Sequence, residues 1–536
     1  MTSRTKKRRK SGRGKRYIGK PSGLVQDRVK AVGPERFAVV TVDCAKRRSK
    51  WMLCDFYGKV ILEPMTVEHT AGSLSFMVQL VAETLKSESF ADSIVAVEMT
   101  GVYHKPVQGA FRKAGMDTRI VHPFASNHFR NALHPGDKTD DHDLEAIFHA
   151  AVQGYGLATP AVNSVFLSLQ AVSRHRHRLV KQRSRLMVQQ RRLMHMTMPG
   201  YADLFEEKLY QRSIAIPVAE KFPSAASILA AGVDAIAQTL RESKTRYQTR
   251  TIERIVAWAQ TAAEPSELAN LQTSQWNQLN DLRKLCNNQI ENTEREMAHF
   301  LVKTPYILLL SVTGINVVSA ARFAGEAGPI EHYASARAIN GRAGLYPSRY
   351  QSDDVDHADG KLIRQCNRQL RGAAMLIAEN LIKCHPYYRG LSALWLQKKV
   401  DTRDRRCRVA NRAMRMVYQL VAGRQLWRGK GVDREYMLAK LQEFHRLHKT
   451  AIDESVRQLT EAFEWLPKSA YVEEGKPLVK LVQKKRRGPK HIGELLTPLL
   501  IRMGVLDEEI DASRTSGKDT VETQSEVDLQ PSEARS

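Results

Sequence analysis

The stretch from residue 138 to 146 constrains this chain more than any other, because it sets Asp140, Asp141, Asp143 and Glu145 at the opening of what reads as a helix. Asp140 and Asp143 are three residues apart and would share one helical face. Carboxylates side by side repel each other, and a fold that holds them together normally supplies a cation between them. Two more acids stand where strands should end. Asp43 closes the apolar run 37–42, and Glu98 closes the run 94–97. Four carboxylates from two strands and one helix match a site in which Mg2+ serves phosphoryl transfer, since Mg2+ prefers oxygen ligands and needs neither His nor Cys. Any one of these acids alone reads more simply as a surface or capping residue, Asp140 above all. Only the four together point to a cation, with Asp141 and Glu145 as competitors for the helical positions.

The pattern around these acids is α/β. Residues 51–55 and 59–62 flank a turn at Tyr57 and Gly58 and read as a hairpin that continues the sheet. Residues 73–85 place Leu74, Met77, Val78, Val81 and Leu85 on one helical face. A short helix over 105–113 and a strand over 118–121 follow, and then the acidic helix. Three strands, helix, strand, helix, strand, helix is the element order of the ribonuclease-H-like fold, expected here over residues 36–158.

Beyond it the chain reads as helical and strongly basic. Its 83 Lys and Arg residues against 57 Asp and Glu leave a formal charge of +26, which suits a phosphate-backbone partner better than a small acidic substrate. No apolar run nears the roughly 20 residues of a spanning helix, and the N-terminus lacks an apolar signal core, so no membrane partner is expected. The cysteines (Cys44, Cys54, Cys286, Cys366, Cys384 and Cys407) form no CxxC pair, which fits a reducing cytoplasm rather than a zinc knuckle or a disulfide framework. Residues 1–35 read as a basic arm with nothing apolar to pack, disordered until it meets a polyanion. A solubilising tail or a nuclear-import signal would have the same composition.

Residues 159–303 hold two long helices. In the first, Val165, Val172, Leu179, Leu186 and Leu193 recur every seven residues. In the second, Trp276, Leu279, Cys286, Ile290, Met297 and Phe300 form a seam interrupted by Arg283 and Thr293. An antiparallel arm, an intersubunit coiled coil and a plain bundle all fit this pattern. Residues 304–395 form a compact helical region. There Thr313, Gly314 and Ile315 resemble the turn of a helix-hairpin-helix, whose backbone amides can hold a phosphate. The span 361–376 reads as a helix that carries Arg364, Arg368 and Arg371 beside an acidic loop, 353–359. Residues 396–506 read as a basic helical extension with a second Lys/Arg cluster at 484–490, and 507–536 as a disordered tail.

Taken together these features resemble the insertion-sequence-110 family of transposases, the bridge-RNA-guided DNA recombinases. The Asp-Glu-Asp-Asp set of that family's RuvC-like N-terminal domain is matched by Asp43, Glu98, Asp140 and Asp143, with Gly101, Tyr103, Pro123 and Lys138 around them. Its C-terminal transposase domain is matched by Gly314, Ile315, Gly344, Leu345, Pro347, Gln351, Ser352, Asn367, Arg368 and Arg371. The chain departs from the family pattern at Asn316, Asp353 and Cys366, where the family commonly has glycine.

The resemblance implies Mg2+ held by the four acids and Ser352 as the nucleophile, with Ser348 the fallback. It also implies a phosphoserine link to DNA, and donor and target DNA chosen by a structured non-coding RNA. The assembly would be a homo-tetramer or dimer of dimers at the bacterial nucleoid. Lys138, Arg349, Lys361, Arg364, Arg368 and Arg371 are the expected nucleic-acid contacts. A RuvC-like endonuclease with a water nucleophile, or a nucleic-acid-binding protein derived from a transposase, would carry many of the same residues.

Overall fold

The computed structural model describes residues 24–154, 163–352, 355–357, 360–427 and 434–466. The basic segment 1–23, Asp353, Asp354 and Asp359 of the acidic loop, the 484–490 cluster and the tail 507–536 lie outside the described residues. The chain divides into two units, one ending at Val162 and the other beginning at Asn163.

The first unit is built on a five-stranded sheet. Its strands are β1 (Phe37–Cys44), β2 (Arg48–Asp55), β3 (Val60–Glu68), β4 (Asp92–Glu98) and β5 (Thr118–Val121), in the spatial order β3-β2-β1-β4-β5. The first three form an antiparallel meander, and β4 and β5 run parallel to β1. Central β1 is apolar along almost its whole length because both of its faces are covered. On one face Ala38, Val40 and Val42 share a core with Leu74, Met77 and Val81 of α2 (Ala71–Ser87) and with Val107 and Phe111 of α3 (His104–Lys113). On the other, Phe37 and Val39 join Ala125 of α4 (Pro123–Leu133) and Leu144, Ile147 and Ala151 of α5 (Asp140–Gln153).

The arm expected over 1–35 is shorter than its composition suggested. Residues 24–32 form a helix, which by its place in the chain is α1 (Leu24–Val32). Its Val25 and Val29 are buried in the same core as Phe37. Its Arg28 forks onto Asp92 at 2.7 and 2.5 Å, reaches Asp117 at 2.5 Å and donates to the Ser93 carbonyl at 2.8 Å. Two valines four residues apart are enough apolar surface once a bidentate arginine fixes the helix to the strand ends.

The second unit opens with α6 (Ser164–Thr197) and returns along α10 (Ala269–Leu301). Arg176 meets Glu294 at 2.5 Å, Arg183 meets Asn287 at 3.1 Å and Gln190 meets Asn280 at 3.3 Å. Each step of seven residues up one helix is a step of seven down the other, which makes the pair antiparallel. The buried face of α6 differs from the expected seam at its start, where Phe166, Leu169 and Ser173 are buried and Val165 and Val172 are only half-buried. The cause is a close crossing by a later helix, α11 (Val317–Ala327). A Cβ at Gly325 would lie 2.8 Å from the Gln170 backbone nitrogen, so only glycine fits there.

Between α6 and α10 a 3-10 turn, α7 (Ala215–Lys221), α8 (Ala225–Glu242) and α9 (Thr249–Thr261) enclose a core of their own around Tyr201, Phe205, Ile228 and Ile255. After α10 come a 3-10 helix (Pro305–Ser311), α11, α12 (Ala336–Ala343), the hairpin strands β6 (Tyr350–Ser352) and β7 (Val355–His357), and α13 (Arg368–Cys384). They are followed by α14 (Pro386–Gln397), α15 (Thr402–Ala422), α16 (Arg434–Leu447) and α17 (Ile452–Phe463). The helix expected from residue 361 begins at Arg368 instead. The Asn367 side chain caps it by accepting from the amides of Gln369 and Leu370, both at 3.0 Å, which leaves Lys361 and Arg364 in the segment before it.

Candidate active site

Strand alternation and one helix cap bring the four acids together. In the parallel pair of β1 and β4, Val42 lies opposite Val97, so Asp43 and Glu98 follow at adjoining strand ends. Side chains alternate across a strand. Phe37 and Val39 point to the α5 face, and so therefore does Asp43; Ile94 and Ala96 do the same for Glu98. Against that face the Thr139 hydroxyl caps α5 by accepting from the His142 amide at 3.2 Å. Asp143 consequently faces inward and is buried, while Asp140 sits at the exposed rim.

The electrostatics bear this geometry out. The Asp43 carboxyl is pushed up to about 7, first by burial, then by the Glu98 charge and a hydrogen bond with Glu98, and then by Asp143 and Asp140. The other contacts sort the competing acids. Asp141 turns away to Lys50 at 2.6 Å, and Glu145 meets the His134 ring at 2.7 Å, a ring that stacks on His142 with centroids 3.7 Å apart. Two residues that the sequence reading missed hold the inner acids. Arg130 contacts Asp143 at 2.5 Å, and the Ser126 hydroxyl donates to Glu98. Both lie on α4 four residues apart, and this helical spacing just after β5 was the only available signal for them.

Among the described residues no three His, Cys, Asp or Glu side chains close on one point tightly enough to ligate an ion as they stand. The acids lie within electrostatic reach of one another, with Arg130 and Ser126 engaging two of them. The donor set fits a hard divalent cation nonetheless. It is all oxygen, and Asp43 retains a proton near neutrality that a cation would displace.

In the second unit the register pairs Ser352 with Val355, at the end of β6 next to the turn of the hairpin. The hairpin extends backwards through a Pro347–Leu362 bridge and through the Ser348 amide, which donates to the Lys361 carbonyl at 2.9 Å. Ser348, Arg349, Lys361, Arg364 and Arg368 are exposed there, as Lys138 is on the loop before α5. Arg371 is not turned outward as expected. Its guanidinium donates to the Ala343 carbonyl at 2.9 Å, the Gly344 carbonyl at 3.1 Å, the Ile363 carbonyl and the Cys366 sulfur at 2.8 Å, so it braces the base of the hairpin.

Comparison with known families gives two matches. A family model described as a transposase, of the DEDD IS110 type, matches residues 40–199. A second, described as the transposase IS116/IS110/IS902 family, matches residues 306–392. The first contains all four acids and the second contains the Ser352 hairpin. A search among curated proteins finds no match.

Proposed function

The chain belongs to the insertion-sequence-110 family of transposases, and from that premise we propose that it is a Mg2+-dependent DNA recombinase that cuts and rejoins strands through a phosphoserine. The observation that carries this reading is the gathering of Asp43, Glu98, Asp140 and Asp143 at one face of a five-stranded sheet of ribonuclease-H-like order. Mg2+ bound there would supply Lewis-acid stabilisation of charge on a phosphodiester. The chain's own part is to hold oxygen ligands in place and to give up the Asp43 proton as the cation enters. Arg130 and Ser126 keep Asp143 and Glu98 oriented until then.

The Ser352 hydroxyl is the nucleophile. Its oxygen bonds to the scissile phosphorus and gives up its proton, the bond from phosphorus to the departing sugar oxygen breaks, and that oxygen takes up one proton, so none is gained or lost overall. One phosphodiester replaces another, so rejoining needs no ATP. Arg349 and Arg364, exposed beside the hairpin, stabilise the charge that develops on the phosphoryl oxygens. A charge of +26 supports backbone contact with donor and target DNA and with a guiding structured RNA, in a homo-tetramer or dimer of dimers.

The test is a denaturing gel of labelled DNA incubated with the protein and Mg2+. A covalent protein–DNA band that disappears in Ser352→Ala and persists in Ser348→Ala is the expected result. Strand cleavage that survives Ser352→Ala with no such band would mark a water-using endonuclease instead. RNA that co-purifies with the protein and is required for site choice tests the guide.

A further inference from the structure

Lys440 stands out among the described charged groups of the second unit. It lies on α16, and its ammonium donates to three backbone carbonyls of the segment entering α11, those of Leu310 at 2.8 Å, Val312 at 2.8 Å and Ile315 at 2.6 Å. Among the described residues no carboxylate pairs with it; the Tyr436 ring has its centroid 5.0 Å away, and the Cys384 thiol lies near enough to favour the charge. The residue as a whole is only half-buried, but its charged end lies inside, and burial pushes the ammonium down to about 7. The three carbonyls oppose that loss, because a neutral amine has two hydrogens for three acceptors.

A lysine whose hydrogen-bond acceptors are all backbone oxygens is doing what a bound cation does. Carbonyls at the second, fourth and seventh positions of 309–315 curl round one point because the chain reverses there. Gly314 takes φ 96°, and a Cβ on it would lie 2.9 Å from the Asn380 carbonyl oxygen. Rings of carbonyls are the ligands that potassium channels use, and they replace a hydration shell rather than a counter-charge. On the other side of the same turn, the amides of Thr313 and Gly314 donate no hydrogen bond among the described residues, and both residues are half-exposed.

We infer that the 310–315 hairpin is a monovalent-cation cradle that this chain fills with its own tethered ammonium, Lys440, so that the Thr313 and Gly314 amides stay presented to a nucleic-acid phosphate without a bound metal ion. The cradle itself is independent of the proposed recombinase activity; the phosphate end rests on that reading. Lys440 is a positioning residue, acting through the backbone it holds. It also lines a cleft of about 520 Å³ with Asn316, Asn380, Phe444 and His448, which gives a small ion a route to the carbonyls once the side chain is shortened.

The experiment compares the full-length wild type with Lys440→Ala and Lys440→Met. Thermal melting is followed in potassium, ammonium, lithium and choline chlorides at equal ionic strength. Lys440→Ala should melt lower than wild type in choline and lithium and recover most of the difference in potassium or ammonium. Lys440→Met, whose apolar stem fills the space, should not recover, and the wild type should show no preference among the salts. Should Lys440→Ala be unfolded in choline, refolding on addition of potassium supports the cradle, and remaining unfolded in every salt overturns it. An identical salt response in all three proteins also overturns it.

Binding to non-specific duplex DNA gives the second readout. Lys440→Met should bind about three- to tenfold more weakly than wild type at fixed salt, and Lys440→Ala should regain affinity with potassium but not with lithium. Cation rescue of folding without any change in DNA affinity would keep the cradle and remove the phosphate role. A wild type that binds no DNA would count against the recombinase reading, while the melting series would still decide the cradle.

Discussion

The two units treat buried charge in opposite ways. In the first, the acids around Asp43 are left crowded, and Asp43 keeps its proton because it is buried and its neighbours are also carboxylates. In the second, the buried ions Glu326, Glu294 and Lys440 have their partners within the fold. Glu326, almost wholly buried, takes a bidentate pair from Arg174 at 2.6 and 2.9 Å. Glu294 lies between Arg176 at 2.5 Å and His448 at 2.7 Å. Lys440 has its three carbonyls. A set of charges whose balance is left to something from outside is organised for chemistry, whereas one balanced from within is organised for shape.

That contrast is broken or upheld by what neutralisation does on each side. Asp43→Asn and Glu98→Gln should lower Mg2+-dependent strand cleavage by about a thousandfold or more while leaving the melting of the metal-free protein unchanged or raised by about 1 kcal/mol, because a repulsion is removed. Wild-type cleavage rates in either variant would end the comparison. In the second unit the sign reverses. Arg174→Met strands the Glu326 carboxylate and should destabilise the unit by about 2–3 kcal/mol in a denaturant titration, below the full figure for a buried pair because Arg174 is 43% exposed.

Acidity should separate the units as well. The folded-state pKa of Asp43, about 7, lies above its ordinary value, so the stability this group contributes is complete in acid and is lost as pH rises through neutrality. The loss, about 2 kcal/mol in metal-free buffer, should disappear when Mg2+ is added. In the second unit His445 is pushed down to about 4 by burial, so it costs stability as pH falls from its unfolded value toward that figure. Burial works against the Glu294 carboxylate, but His448 and Arg176 hold its pKa below the usual range, and its pair with His448 persists only between the two groups' titrations. Hydrogen exchange followed separately in the two units between about pH 4.5 and 6.5, below the range in which the raised His448 loses its charge, should show slopes of opposite sign, and parallel slopes would refute the distinction. The smallest effect belongs to Arg130. If it is the counter-ion that a metal displaces from Asp143, Arg130→Gln should tighten Mg2+ binding by about two- to fivefold in calorimetry.

Much of the first unit was legible because its signals are local. The doubly buried strands announce themselves as apolar runs, and Asp43 and Glu98 interrupt those runs where the chain leaves the sheet. The acidic helix opens where its acids begin, although Thr139 rather than Asp140 supplies the cap. What the sequence hid depends on partners far along the chain. Arg28 is read as one more basic residue of an arm until Asp92 and Asp117 stand opposite it. Arg371 looks like a nucleic-acid contact until carbonyls from three other positions surround it. Lys440 has no local signature at all, since its ligands are peptide oxygens that any sequence provides. The pairing of α6 with α10 was readable as one of several arrangements, and only the rungs between them choose the antiparallel one.

Those rungs have a mechanical consequence. Arg176–Glu294, Arg183–Asn287 and the buried Gln190–Asn280 layer recur every seven residues and differ in kind, so sliding one helix past the other by a heptad would in one direction set Arg176 against Asn287 and leave Glu294 without its guanidinium, and in the other part the buried Gln190 from Asn280. The hairpin of helices is therefore keyed like a toothed rail, at one length only. With about 1.5 Å of rise per residue it spans about 50 Å, and the small core around Tyr201 rides at its far end. Whatever that tip touches is held at a fixed reach from the Ser352-bearing region at the rail's root, so distance along a bound nucleic acid can be measured by the protein's skeleton rather than by its side chains.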